Sequence, residues 1–187
     1  WFAHIPGLRV VMPSTVADAR DLLISSVLCP DPVIYIDDRW LYDQEDILDP
    51  IIELDLLDQK PNISHNGNDI TIVSSGHTSL LARDSVKILE SINISPEVID
   101  IRVLNPFDVE DIVRSVKKTR NLLVIDSGTL SGGFSGEVMA KVVESLPVSC
   151  LTSSPKRIAL PDAPAPTSRV LEKEYYLSVE DVIDAVK

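Results

Sequence analysis

Apolar residues recur along the chain with two different periods, which predict alternating strands and helices. Short aliphatic and β-branched runs are separated by longer segments in which apolar residues return every three or four positions. Strands are predicted at 8–12, 33–36, 70–73, 97–102, 122–125 and 148–151. Strands and helices that alternate through short connections predict an α/β protein with a mostly parallel sheet and right-handed crossovers.

Helices are predicted between these strands, and small polar residues mark where several of them begin. The predicted helices cover about 16–27, 79–92, 109–116, 136–146 and 179–186. Ser14 or Thr15 is expected to cap the first, Asp108 the third and Ser178 the last. Such side chains accept hydrogen bonds from the free amides at a helix start.

Two stretches lack this regular pattern. Residues 39–69 are rich in acidic side chains and contain two prolines and an Asn-Gly pair, so they are interpreted as a linker with one short strand near 51–54. Residues 155–167 carry four prolines and are expected to be extended.

A glycine-rich loop follows the most apolar strand, in the sequence LLVIDSGTLSGGFSGEVMAKVV at 122–143. Strand, glycine loop and helix are the layout of a phosphate-binding turn. The dinucleotide fingerprint needs G-x-G-x-x-G, whereas this loop contains only G-G-x-x-G, and no G-K-[ST] follows. The glycines are therefore interpreted as serving backbone geometry and close packing. An anion at the helix start remains an open alternative.

Composition and charge narrow the classes of partner. The 187 residues include 29 acidic and 17 basic side chains, for a net charge of −12. This argues against nucleic acid, because phosphate binding requires clustered Lys and Arg. No apolar run approaches the length of a membrane span. The two cysteines lie in no metal-binding or CxxC spacing, which favours a reducing compartment. Because the chain starts at Trp1 without an initiator Met, we expect that it begins inside a larger protein.

Residue chemistry alone indicates no complete catalytic constellation. His77 lies in the turn after a strand, where α/β proteins bind ligands, although an ordinary turn histidine is the alternative. His65 is expected to be solvated in the linker, and His4 precedes a Pro-Gly turn. No second histidine stands at ligand spacing, which argues against zinc. The GFSGE segment around Ser135 does not match the hydrolase motif G-x-S-x-G.

Several segments, in order along the chain, resemble the β subunit of 2-oxo acid dehydrogenase E1 components. The N-terminal segment is similar to the end of the pyrimidine-binding domain of that family and reads FAHIPGLRVVMPSTVADARDLLISSVLCPDPVIYIDDRWLY. Two later segments are similar to its transketolase-type C-terminal domain and read VIDIRVLNPFDVEDIVRSVKKTRNLLVIDSG and PDAPAPTSRVLEKEYYLSVEDVIDAV. GGFSGEV falls where the family has a glycine-rich turn before a helix.

The resemblance implies a division of the chain and an activity. Residues 1–42 would be the C-terminal remnant of a pyrimidine-binding domain, 43–68 a linker, and 69–187 a transketolase C-terminal-type domain. The parent enzyme would use thiamine diphosphate and Mg²⁺ to decarboxylate a 2-oxo acid and pass the acyl group to lipoyl-E2. The family's activating glutamate and active-site histidine lie upstream of the matching segments, so no catalytic or cofactor-binding residue is carried over. The 187 residues alone are expected to be inactive and not to bind the cofactor.

The resemblance also implies partners and one ion site. The partners would be an E1 α subunit, a second β subunit and the basic subunit-binding domain of E2. Some β subunits hold a structural K⁺ through backbone carbonyls, and the matching positions here are Ser26, Cys29 and Asp31. The family commonly has an acidic residue where Cys29 stands. The acidic tail would steer a basic partner, with a solvated last helix as the alternative; its members are Glu172, Glu174, Glu180, Asp181 and Asp184.

Two other interpretations stay open at this stage. The chain could belong to another transketolase-like enzyme, such as deoxyxylulose-phosphate synthase, which shares a glycine-rich turn near this place. It could also be an assembly module that has the fold without the chemistry. The resemblance to E1 implies a cytoplasmic location, or the mitochondrial matrix in a eukaryote.

Overall fold

A computed structural model describes residues 1–51, 54–147 and 149–187. The strands are β1 (Arg9–Val11), β2 (Val33–Tyr35), β3 (Asn62–His65), β4 (Ile70–Ser74), β5 (Pro96–Asp100), β6 (Val103–Asn105), β7 (Leu122–Thr129) and β8 (Lys156–Leu160). The helices are α1 (Val16–Leu28), α2 (His77–Ser91), α3 (Glu110–Thr119), α4 (Phe134–Glu144), α5 (Arg169–Tyr175) and α6 (Val179–Val186). Short 3₁₀ turns occur at Arg39–Leu41 and Leu56–Asp58.

The strands form two sheets, and the larger one confirms the predicted α/β class. Its five strands lie in the order β3-β5-β4-β7-β8. All neighbours are parallel except β3, which runs antiparallel to β5 at one edge. The smaller sheet has the order β2-β1-β6, with β1 parallel to β2 and antiparallel to β6.

The core lies on both faces of the larger sheet, and the side chains of β7 contribute to the two faces in turn. Leu122 and Val124 pack with α3 and α4 on one face, whereas Leu123 and Ile125 pack with α2 and α6 on the other. Successive side chains of a strand point to opposite faces, so a strand covered on both sides reads as a continuous apolar run. This explains why β7 was the most clearly apolar strand in the sequence.

Two of the three predicted helix caps are confirmed by their contacts. The Asp18 amide donates to Oγ1 of Thr15 at 3.0 Å. α3 begins at Glu110 with Val109 as its N-cap, so the predicted cap at Asp108 is wrong by one residue, although the Glu110 amide donates to Oδ1 of Asp108 at 2.8 Å. At α6, Ser178 and Asp181 form a reciprocal capping box.

The structure differs from the sequence-based prediction in three additional elements and in the location of one strand. β3, β6 and α5 lie in segments for which no strand or helix was predicted. The predicted strand at 148–151 is wrong over 149–151, where the Cys150 amide closes a turn onto Pro147, and Val148 lies outside the described residues. β8 pairs with β7 further along instead, inside the proline-rich stretch. The strand predicted near 51–54 includes residues 52 and 53, which also lie outside the described part.

No helix in the described part of the chain is long and apolar enough to cross a membrane.

Candidate functional site

The glycine loop between β7 and α4 folds around a carboxylate of its own. Asp126 is 9% exposed and lies at the start of α4. Its Oδ2 accepts a hydrogen bond from the Ser135 amide at 2.7 Å, and its Oδ1 accepts one from the Gly128 amide at 2.8 Å. The free amides at a helix start attract anions, so Asp126 occupies the position that a phosphate would need.

Gly133 is required here by space and not by an unusual backbone angle. Its φ is −69°, which any residue can adopt. A Cβ at this position would overlap the Thr129 carbonyl oxygen and would lie 2.8 Å from Oδ2 of Asp126. The structure therefore supports the interpretation of this glycine as a close-packing residue.

A second polar centre joins the N-terminal segment to the larger sheet. Asp100, at the carboxyl end of β5, is fully buried and accepts hydrogen bonds from the hydroxyls of Ser14 and Ser79, the latter at 2.8 Å. Arg83 donates to the Ser14 hydroxyl and carbonyl, both at 3.0 Å. Burial raises the pKa of Asp100 from 3.8 to about 6, although the two serine hydroxyls oppose this shift. The sequence offered no signal that would bring residues 14 and 100 together.

Asp38 also joins the N-terminal segment to the larger sheet, through the start of α2. Its Oδ2 accepts a hydrogen bond from the His77 amide at the start of α2, and its Oδ1 accepts one from the Trp40 amide, both at 3.1 Å. Gly76, which precedes the helix, has φ +55°, and a Cβ there would also meet the Met12 side chain. This geometry fixes Trp40 beside α2.

His77 lies where the sequence placed it, at the carboxyl edge of the parallel strands. Its ring stacks on Trp40 with centroids 5.5 Å apart and planes 28° apart. Burial lowers the pKa of His77 below 6.5, against the opposing charges of Asp38 and Asp84. The ring is therefore mostly neutral at pH 7. A cavity of about 720 Å³ opens beside it.

The sequence suggested that His65 is solvated in a linker, but the structure gives it two partners. It lies in β3 and is partly buried, with Nδ1 at 2.8 Å from the Pro96 carbonyl oxygen and Nε2 at 3.3 Å from Oε1 of Glu90. In the described ranges, no cluster of three or more His, Cys, Asp or Glu residues is arranged to hold a metal ion.

The residues suggested for K⁺ lie around the end of α1. The Ser26 hydroxyl donates to the Leu22 carbonyl at 2.6 Å, and Cys29 is the residue that follows the helix. The Asp31 carboxylate is bound by Arg9, with Nη2 at 2.6 Å. This guanidinium disfavours a cation held by the Asp31 side chain, so the backbone carbonyls are the donors that suit K⁺ here. The K⁺ site stays a prediction.

Comparison with known proteins defines the class of this chain. The family model "Transketolase, C-terminal domain" matches residues 59–182, and the chain belongs to this family. Over its whole length it is 35% identical to pyruvate dehydrogenase E1 component subunit beta of Rhizobium meliloti (strain 1021) and 35% identical to the mitochondrial subunit of Caenorhabditis elegans. It covers 40% and 54% of those two proteins.

Other relatives agree with this relationship. The chain is 32% identical to 2-oxoisovalerate dehydrogenase subunit beta 2 of Arabidopsis thaliana, of which it covers 51%. It therefore spans about half the length of the curated relatives that it matches. These matches confirm the resemblance to E1 β subunits that the sequence motifs indicated.

Two solved structures support the fold alone, because their sequence identities are low. A split-gene transketolase, described as an inactive β4 tetramer, matches 99% of this chain and 58% of its own at a TM-score of 0.78 and 24% identity. A transketolase mutant from Pichia stipitis matches 99% of this chain and 26% of its own at a TM-score of 0.64 and 15% identity.

Proposed function

We propose that this chain is part of the β subunit of a thiamine-diphosphate-dependent 2-oxo acid dehydrogenase E1 component. Its role would be to assemble the enzyme and to dock E2, while thiamine diphosphate and Mg²⁺ are bound by other parts of the parent complex. The observation that carries this proposal is the similarity of the whole chain to about half the length of E1 β subunits. The glycine loop, which Asp126 fills, agrees with a cofactor bound by other parts of the complex. On this proposal the 187 residues alone are inactive.

Exposed apolar side chains support a role in subunit contacts. On α1, Leu23, Val27 and Leu28 are 48%, 78% and 61% exposed, although Leu22 of the same helix is fully buried. Clustered apolar side chains on a surface favour burial against a partner. We propose that such surfaces serve contacts with an E1 α subunit or a second β subunit. Self-association at micromolar concentration in sedimentation equilibrium would support this role, whereas a monomer at all concentrations would count against self-contact.

The acidic C-terminal segment supports docking of a basic module. Residues 168–187 contain five acidic and three basic side chains. Four of these acidic side chains are exposed, namely Glu174, Glu180, Asp181 and Asp184. Asp181 also caps α6 through its contacts with Ser178. Opposite charges across an interface mainly accelerate association, and salt weakens the attraction between them. The partner proposed for this surface is the basic subunit-binding domain of E2.

A titration with the E2 subunit-binding domain tests the docking role. We expect a complex at low salt that weakens several-fold in 0.3 M salt. The double substitution Glu174→Gln and Glu180→Gln should weaken binding about fivefold, mainly through slower association. The matched control neutralises Glu110 and Glu144, which are exposed on α3 and α4. Docking at this segment is refuted if no complex forms at low salt, or if both double variants bind as the parent chain does.

The cellular compartment follows the parent enzyme in this proposal. Several of the relatives are named as mitochondrial subunits. We therefore propose the mitochondrial matrix if the source is a eukaryote, and the cytoplasm otherwise. The K⁺ prediction at Ser26, Cys29 and Asp31, and the division at residues 42/43 and 68/69, remain part of the same proposal.

A further inference from the structure

The cavity at the carboxyl edge of β4 and β7 has the size and place of a ligand site. Its volume of about 720 Å³ lies in the range of small-molecule pockets. Open parallel sheets bind ligands outside the carboxyl ends of their strands, and this cavity lies at that edge. It touches the beginning of the glycine loop at Ser127, whereas its other walls are formed by the start of α2, by the end of β8, by α5 and by the segment around Trp40.

Aromatic rings form one wall of the cavity. Trp40 stacks on His77 and also meets Tyr176, with ring centroids 5.5 Å apart and planes inclined by 60°. Leu81 and Leu160 add aliphatic surface. Trp40 is nevertheless 60% exposed, which leaves one of the largest apolar side chains of the molecule facing the opening. Flat aromatic surfaces of this kind bind planar rings by offset or edge-to-face contact.

Two cationic side chains stand at the rim of the cavity. Arg169 and Lys173 lie one turn apart on α5, and neither forms a side-chain hydrogen bond or ion pair with any residue in the described ranges. Carboxylates near the cavity oppose them. Asp38 accepts hydrogen bonds from two backbone amides, one of them at the positive end of α2, which offsets part of its charge. Glu172 in the cavity wall and Asp84, whose charge also acts on His77, are the other opposing carboxylates.

We propose that this cavity binds a planar aromatic carboxylate, with its ring against Trp40 and Tyr176 and its carboxylate towards Arg169 and Lys173. Burial keeps the His77 ring mostly neutral, so it acts as part of the aromatic wall. An aromatic acid with one or two fused rings fits the volume and pairs with both rim cations. The site binds without a covalent step. Its rim residues Arg169 and Lys173 lie in segment 168–187, so the cavity borders the surface proposed above for docking.

Calorimetric titration of the 187-residue chain with three matched probes tests the chemistry. The probes are 2-naphthoate, the uncharged 2-naphthalenemethanol and the cationic 2-naphthylmethylamine. We expect saturable binding of the acid, at least fivefold weaker binding of the alcohol and the weakest binding of the amine. Non-saturable heats for the acid would overturn the site. Equal binding of acid and alcohol, or tighter binding of the amine, would overturn the assignment of a carboxylate.

Substitutions locate the bound probe. Trp40→Leu should abolish detectable binding of 2-naphthoate, and Arg169→Ala combined with Lys173→Ala should weaken it about fivefold while leaving the alcohol unchanged. The matched control combines Lys87→Ala and Lys117→Ala, which removes two exposed charges from α2 and α3. Circular dichroism establishes that each variant is folded. Equal weakening by both double variants, or full binding by Trp40→Leu, would overturn the proposed location.

Discussion

The carboxylate of Asp126 accepts a hydrogen bond from the backbone amide of Ser135 at 2.7 Å, across the whole glycine loop. The residue that ends the buried part of β7 thereby caps the start of α4. A loop that resembles a phosphate cradle in sequence is closed by an internal anion, which ties the loop to the sheet.

Removal of this carboxylate should destabilise the fold. Asp126→Ala leaves the amides of Gly128 and Ser135 without their acceptor, and a buried unsatisfied donor costs about 1–3 kcal/mol. We expect a loss of about 2 kcal/mol in the free energy of unfolding, measured by urea denaturation. Asp126→Asn keeps one acceptor oxygen and should lose less. Equal stability of the alanine variant and the parent chain would contradict the structural role of Asp126.

Gly133 should be intolerant of any larger side chain. Gly133→Val places a Cβ against the Thr129 carbonyl and the Asp126 carboxylate, so the loop must shift and the free energy of unfolding should fall by about 2 kcal/mol or more. Gly136→Ala is the control, because it lies inside α4 and its Cβ would find only Nη1 of Arg157 at 3.4 Å. That variant should be neutral or slightly stabilising. Similar thermal midpoints for the two variants would refute the packing role of Gly133.

The sequence predicted that the glycine loop is not a dinucleotide site, but it did not predict the side-chain contacts that close the loop. The spacing of the glycines was sufficient to argue against a dinucleotide loop. The pairing of Asp126 with Ser135 depends on how the chain turns over nine residues, and no periodic pattern encodes that path. The contact between Ser14 and Asp100 joins residues that are 86 positions apart, and no local sequence pattern predicts it.

The buried Asp100 should make stability depend on pH. Its pKa is about 6 in the folded chain and near 3.8 when unfolded, so the folded state binds more protons between these values. Stability from this group is therefore fully present below about pH 4 and declines as the pH rises through about 6. Relative to Asp100→Asn, the parent chain should lose on the order of 2 kcal/mol between pH 4 and pH 7.

This pH effect is measured as a difference between two proteins, since other carboxylates also titrate. Urea denaturation at pH 4, 5, 6 and 7 supplies the free energies of both chains. Asp43→Asn, at an exposed position, is the matched control. A flat difference for Asp100→Asn would contradict the raised pKa.

Asp38 should stabilise the start of α2 and hold Trp40 in place. Asp38→Ala removes an acceptor from two amides, and loss of a helix-capping side chain costs about 1 kcal/mol. In a Trp1→Phe background, Trp40 is the remaining tryptophan, and its emission should shift to longer wavelength when it leaves His77. Asp43→Ala should change neither quantity. An unchanged emission spectrum for Asp38→Ala would show that Asp38 does not position Trp40.

The elements that sequence reasoning missed share a weak local signal. β3 and β6 are short, and each lies at an edge of its sheet. β8 is also an edge strand, and its members are at most half-buried, so it lacks the apolar run that identified β4 and β7. α5 has seven residues, none of them buried, so no apolar stripe marks it. Pairing with neighbours that are distant in sequence determines these segments.

Calorimetric titration with thiamine diphosphate and Mg²⁺ tests the central claim most directly, namely that this part of the chain serves assembly while the cofactor is bound elsewhere. Asp126 fills the helix start that follows the glycine-rich loop, and no residue of this chain matches a cofactor-binding residue of the family. We predict no saturable heat up to millimolar cofactor for the 187-residue chain. Stoichiometric binding with a micromolar dissociation constant would contradict the account.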